Sequence, residues 1–320
     1  MKRDVIFMFS GQGSQYYHMG KELYEINAVF RYWMDHCNEI VSPLIQCSLT
    51  EVLYGQDDLT KPFDRLLYTN PALLCVEYCQ FQVLKDMGIH PDYLMGYSLG
   101  ELIASVVAEA VTLEDGIHLV ITLARLAEEK TPPAAMLAVL ESEHIVKSQP
   151  ELFAGCWCTG FNFNKNFVLA GLPHSIEQVQ AHLSKLNILT QLLPVQQGFH
   201  TALIDPIEEE VKQLVRTIKR SEMKFPIISS SKLEVVKELN EDYFWNVIRQ
   251  PVNFQFTIER ILEAGDYIFI DSGPSGTLST FVKYILPAHS ASVSIPMIHQ
   301  WGREVSAVEK MKTLFFDMVR

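Results

Sequence analysis

Gly96-Tyr97-Ser98-Leu99-Gly100 fits the pattern G-x-S-x-G. This layout suits a serine nucleophile: a sharp strand-to-helix turn exposes the hydroxyl, and glycines on both sides tolerate the crowding. The helix that follows starts with unpaired N–H groups, and the one on Leu99 points where a tetrahedral oxyanion forms. Taken alone, the pattern also fits an ordinary glycine-rich turn. Its flanks favour the elbow, because Tyr93-Leu94-Met95 reads as a short buried strand and Glu101 to Ala110 as a helix.

A serine hydroxyl is a poor nucleophile until a base takes its proton. The chain has 10 histidines. His18, His36, His144, His174, His182 and His289 lie in polar segments that read as surface. His200 stands apart in Gln197-Gly198-Phe199-His200-Thr201-Ala202, at a junction between two differently patterned stretches. A lone histidine is more often structural than catalytic, so position is what makes His200 the candidate base. Gly11-Gln12-Gly13-Ser14-Gln15 directly follows the first strand-like run, and two uses stand open. It could cradle a phosphate, although it lacks the G-x-G-x-x-G spacing and the lysine of a Walker loop. Or it could offer a backbone N–H to an oxyanion from a strand end beside the elbow.

The elements that must hold these groups can be traced along the chain. Val5–Phe9 reads as a buried first strand, and Tyr16 to Cys37 as one helical stretch. Asn70-Pro71 is expected to open a helix over Ala72 to Met87, with proline at the first helical position, where its missing N–H costs nothing. Thr112 caps a helix that runs to about Glu129, and Thr131-Pro132-Pro133 is the clearest linker. Beyond it the strands Ala135–Leu140, Cys156–Thr159, Phe167–Gly171 and Leu189–Leu193 alternate with two helical pieces, in the order β-α-β-β-α-β of a small ferredoxin-like unit. From Gly198 on, helices return with the short strands Phe225–Ser229 and Tyr267–Ile270, the pattern of the first 130 residues. The expectation is an α/β hydrolase-like large domain (1–130 and 197–320) with an inserted ferredoxin-like subdomain (131–196).

At 320 residues the chain has room for about two domains by the ~150-residue rule. A net charge of −12 argues against a general nucleic-acid binder and against a protein resting on anionic lipid. No apolar run reaches the ~20 residues of a membrane span, and no signal-peptide pattern opens the chain. Cys37, Cys47, Cys75, Cys79, Cys156 and Cys158 lack the second half of a zinc site and read as reduced thiols of a cytoplasmic protein.

Ser10-Gly11-Gln12-Gly13-Ser14-Gln15, Gly96-Tyr97-Ser98-Leu99-Gly100-Glu101 and Gly198-Phe199-His200 together, in this order, resemble the malonyl-CoA:acyl-carrier-protein acyltransferases of fatty-acid and polyketide synthesis. Thr69-Asn70-Pro71-Ala72-Leu73, Asn162 with Val168-Leu169-Ala170-Gly171, Gln250-Pro251-Val252-Asn253-Phe254 and Asp271-Ser272-Gly273-Pro274 agree, so the resemblance spans about Val5 to Leu286. It implies the acyltransferase fold, Ser98 as the acylated nucleophile and His200 as its base. It implies an oxyanion hole from the N–H groups of Gln12 and Leu99. It also implies a backbone carbonyl behind His200, which by position in the Tyr243–Phe254 stretch is expected from Val247. No cofactor or metal is implied, since phosphopantetheine arrives on the substrate carrier protein, or the acyl group on CoA.

Two departures from that family matter. Its G-H-S is Gly96-Tyr97-Ser98 here, and the arginine that clamps the malonate carboxylate is replaced by Leu123. Arg125 lies two positions on, ~200° round a helix and away from the pocket. With Tyr97, Phe199 and Asn162, Leu123 is expected to line a pocket for uncharged acyl groups. In this the chain resembles the acyl hydrolases of trans-acyltransferase polyketide systems, which strip unwanted acyl groups from carrier proteins. Acyl transfer to a carrier and non-catalytic carrier binding are the rival readings. Lys212, Arg216, Lys219 and Arg220 fall at helical spacing and are expected to meet an acidic carrier protein.

Overall fold

The computed structural model describes residues 3–319. Asp4–Phe9 forms β1, buried from Val5 onward. A continuous apolar run is what a parallel strand covered on both faces requires. Val5, Phe7 and Phe9 face one helical layer, and Ile6 and Met8 face the other.

Next come α1 (Lys21–Ile26), α2 (Ala28–Ile45), α3 (Leu49–Tyr54), α4 (Leu66–Asp86), β2 (Tyr93–Gly96), α5 (Leu99–Val107) and α6 (Leu113–Lys130). The single helical stretch expected over Tyr16 to Cys37 is thus two helices. Asn27 leaves helical geometry between them, and its side chain caps α2 by accepting from Phe30 N. The helix expected from Ala72 starts sooner, at Leu66, so Pro71 lies inside α4 rather than at its first position. Nearly all of α4 is buried, and that packing outweighs the hydrogen bond a proline cannot make.

The middle of the chain builds a second sheet: β3 (Ala135–Val139), α7 (His144–Ser148), β4 (Cys156–Phe163), β5 (Asn166–Gly171), α8 (Pro173–Lys185) and β6 (Thr190–Leu192). Its strand order is β4-β5-β3-β6, antiparallel throughout. One face carries Leu137, Val139, Phe167 and Leu169 against Ile176, Val179 and Leu183. The opposite face turns Met136, Val168 and Ala170 toward the main core.

A 3₁₀ turn (Ala202–Ile207) leads to α9 (Glu208–Thr217), β7 (Ile227–Ser229), β8 (Glu234–Val235), α10 (Glu241–Arg249), α11 (Phe254–Leu262), β9 (Tyr267–Asp271), α12 (Thr277–Ile285), β10 (Val293–Pro296) and α13 (Glu304–Val319). The large sheet runs β10-β9-β1-β2-β7-β8, parallel except for β8. β1 and β2 are neighbours, with Phe9 opposite Gly96. The Gly11-Gln12 loop and the Ser98 elbow therefore leave the sheet side by side at its carboxyl edge, where α/β sheets place ligands. The small sheet is tied to this edge by Phe161 N to Val252 O (2.8 Å) and Val252 N to Thr159 O (2.9 Å). Among the described residues no helix is long and apolar enough to cross a membrane.

Candidate active site

The turn from β2 into α5 is as sharp as the glycine spacing requires. Ser98 adopts φ 53°, ψ −117°, a conformation that costs a non-glycine residue on the order of 1–3 kcal/mol. A Cβ on Gly96 would stand 2.1 Å from Glu101 N, and one on Gly100 2.0 Å from Phe9 O. Tyr97 N to Phe9 O (2.9 Å) and Glu101 N to Ser98 O (2.8 Å) hold the turn. The buried Glu101 carboxylate braces it from behind, accepting from Ser230 N (2.9 Å), Ser230 Oγ (2.8 Å) and Tyr243 OH (2.8 Å).

His200 reaches Ser98 from the chain's second half. Its Nε2 lies 2.8 Å from Ser98 Oγ, and its Nδ1 lies 2.7 Å from Gln250 O. A carbonyl only accepts, so Nδ1 carries the proton and Nε2 presents its lone pair to the serine hydroxyl. The orienting carbonyl is thus Gln250's, not Val247's. Val247 sits buried within α10, where its carbonyl runs along the helix axis. Gln250 precedes Pro251, which forces it into extended geometry (φ −85°, ψ 151°) and swings its carbonyl off the axis toward the ring. Burial pushes the His200 pKa down to about 4, and the Gln250 hydrogen bond offsets part of that.

The Gly11-Gln12 loop abuts the elbow: a Cβ on Gly11 would lie 2.5 Å from Tyr97 O and 3.3 Å from Ser98 Cβ. The phosphate reading fails on this geometry. Gln15 Oε1 takes the Gly13 N–H (2.7 Å), the helix that follows the loop opens only at Lys21, and among the described residues no lysine lines the cleft. The Gln12 side chain is tied to α4, donating to Thr69 Oγ1 (2.8 Å) and to Asn70 Oδ1, and Asn70 Nδ2 donates to Val120 O (3.1 Å). Glu77 of α4 takes both the Ser10 N–H (3.0 Å) and its hydroxyl, and burial raises its pKa well above the carboxylate range. Gln12 and Leu99 both line the cleft, and Leu99 opens α5, where the first N–H of a helix has no partner within the helix.

These groups border a cleft of about 350 Å³ between the two sheets. Leu123 and Phe199 line it, together with Met136 and Val168 from the small sheet. Among the described residues, no Lys, Arg, Asp or Glu lines it. Tyr97 OH donates to Asn162 Oδ1 (2.8 Å), whose Nδ2 donates to Asn166 Oδ1 (2.6 Å). Glycine at 160 makes room for this, since a Cβ there would stand 2.4 Å from the tyrosine oxygen. Arg125 points outward to Leu44 O, as its helical offset requires.

Against known families, residues 6–315 match the acyl transferase domain. The chain belongs to the acyl transferase family. Among its relatives, the polyketide biosynthesis acyltransferase homolog PksD of Bacillus subtilis is 36% identical over 317 residues, covering 98% of each chain. BaeD of Bacillus velezensis, of the same description, is 37% identical over 292 residues, covering 91% of this chain and 90% of its own. The acyltransferase domain from the second module of the salinomycin polyketide synthase superposes with a TM-score of 0.85 at 26% identity, covering 97% of this chain and 72% of that one. The malonyl CoA-acyl carrier protein transacylase of Clostridium perfringens, at 23% identity, shares the fold with a TM-score of 0.81 over 98% of both chains.

Within this acyltransferase framework a second expectation does not hold. The four cations do not share one helix: α9 ends at Thr217 with Ile218 extended, so Lys219 and Arg220 lie beyond it. Lys212 pairs with Glu208 and Asp242 (both 2.8 Å), Arg216 with Glu209 and Glu241 (both 3.1 Å), and Arg220 donates to Val215 O (2.7 Å). Three of the four cations are thus engaged within the chain. Conversely, the anchoring roles of Thr69, Asn70, Glu77 and Glu101 were not read from the sequence. For the two glutamates a signal was there: a carboxylate set in an apolar helical stretch marks a group with a buried partner.

Proposed function

We propose that this acyl transferase family member is a serine acyl enzyme of polyketide biosynthesis that removes uncharged acyl groups from carrier-bound thioesters. The observation that carries the reading is the cleft itself, which joins Ser98, His200 and Gln250 O to walls without a cationic side chain. A malonyl carboxylate held there has no counterion and keeps its desolvation cost, several kcal/mol. Leu123 presents apolar surface where the clamp would stand.

The chemistry follows from the geometry. His200 Nε2 takes the Ser98 proton while Oγ attacks the thioester carbonyl, and the backbone N–H groups of Gln12 and Leu99 receive the oxyanion. The C–S bond breaks, the thiol leaves with the proton from His200, and acyl-Ser98 remains. Water then gives a proton to His200 and attacks the ester. Ser98 Oγ leaves, recovers that proton, and a carboxylic acid is released. The phosphopantetheine arm belongs to the substrate. The relatives' description as acyltransferase homologs favours a second reading, in which another carrier's thiol, not water, resolves acyl-Ser98.

Product analysis separates them. Acetyl-, butyryl- and malonyl-carrier protein are offered with an unloaded carrier, and free acid is measured against transferred acyl by mass spectrometry. Release of acetate and butyrate with malonyl left intact is expected. Rapid malonyl transfer without acid release would overturn the proposal.

A further inference from the structure

The face of the small sheet that does not pack on its own helices forms a wall of the cleft, and that wall continues past the cleft's rim. Met136 and Ala138 of β3 and Leu140, the residue just past its end, alternate along the chain, and all three line the cleft. The β3–β6 register sets Leu137 opposite Leu192 and Ala138 opposite Gln191. Met136 is therefore matched with Leu193, and Leu140 with Leu189, whose carbonyl accepts the Leu140 N–H (2.9 Å). The rungs open outward: Met136 is 8% exposed, Leu140 48% and Leu189 70%. A small side chain at Ala138 leaves a saddle between the two larger rungs. From Met136 to Leu140 the chain advances about 13 Å, the length of roughly ten methylenes.

We propose that this stripe is an acyl-chain track, on which an extended apolar chain attached at Ser98 runs over Ala138 to a ledge formed by Leu140 and Leu189. The inference rests on Ser98 carrying the acyl group. It names the substrate class as long, unbranched or growing apolar acyl chains, which an enclosed pocket would refuse. Two solvent-exposed leucines paired at the adjoining ends of β3 and β6, at the end of the cleft, then have a use. A methylene moved from water onto an apolar wall is worth up to about a factor of four in an equilibrium constant.

The test uses acetyl, hexanoyl and decanoyl thioesters of N-acetylcysteamine with the full chain. In the wild type, kcat/KM is expected to hold level or rise from hexanoyl to decanoyl. Ala138→Trp blocks the saddle and Leu189→Asp charges the ledge, so each should lower the decanoyl-to-acetyl ratio by about tenfold or more. Leu186→Asp, an exposed leucine of the same unit away from the track, should leave the ratio unchanged. A wild-type loss of about tenfold from hexanoyl to decanoyl, or an unmoved ratio in both track variants, overturns the track. If Ser98→Ala turns over all three thioesters at the wild-type rate, the acyl-Ser98 reading fails instead.

Discussion

His200 is buried, and its ring is held neutral by its surroundings, which leads to a defined pH dependence. The free histidine pKa of 6.5 falls to about 4 in the folded chain. At pH 5.5, about 97% of the sites then keep a free base, against about 9% for an unshifted imidazole, a difference of about tenfold in acylation rate. The acid limb of kcat/KM for ester or thioester cleavage should therefore have its midpoint between about pH 4 and 5. The same shift acts on stability. The unfolded chain binds a proton at this site below pH 6.5 and the folded chain does not until about 4, so stability falls as pH drops through that window. The loss attributable to His200 totals about 3 kcal/mol. Pre-steady-state acylation of Ser98 by p-nitrophenyl acetate, followed from pH 4 to 8 beside urea melts, reads both effects. A kinetic midpoint at 6.5 or above would refute the reasoning, because the base would then be solvated rather than desolvated.

Other consequences follow from the same geometry. Gly11→Ala drives a methyl into the Tyr97 carbonyl. It should lower kcat about 100-fold by displacing the Gln12 N–H, measured by steady-state hydrolysis with folding checked by circular dichroism. Asn70→Ala removes the acceptor of one Gln12 amide bond and the donor to the Val120 carbonyl. It should lower kcat about tenfold with little change in KM, as the kinetics of acetyl thioester turnover will show. Leu123→Arg supplies the missing counterion and should raise the malonyl-to-acetyl ratio of kcat/KM about 10- to 100-fold. The unpaired guanidinium of the free variant should also lower Tm in a thermal melt.

His200 stood out by its place at a junction and the Gly11-Gln12 loop through the family resemblance, whereas the Ser98 elbow was readable because it sits in a short local motif whose spacing is itself the geometry. The ferredoxin-like order of the small sheet was readable for the same reason, from alternating strand and helix patterns. What escaped reading depends on contacts between distant segments. The orienting carbonyl belongs to Gln250 because Pro251 turns it, and one proline moves the role three residues from Val247. Two of the four partners of the α9 cations, Glu241 and Asp242, lie on another helix and left no local sign, whereas Glu208 and Glu209 stand on α9 itself. Pro71 marks a helix start in isolation, yet burial of α4 carries the helix through it. Strand order in the large sheet, which sets Gln12 beside Ser98, leaves no local trace at all.

On the proposed function, Ser98 is acylated and the cleft prefers acyl groups without a charge. Intact-protein mass spectrometry after rapid mixing with butyryl-carrier and malonyl-carrier protein reads it directly. A butyryl adduct that maps to Ser98, is absent in Ser98→Ala and decays as free acid appears is expected, with little malonyl adduct. A malonyl adduct forming as fast as the butyryl one, or an adduct that persists in Ser98→Ala, would contradict it.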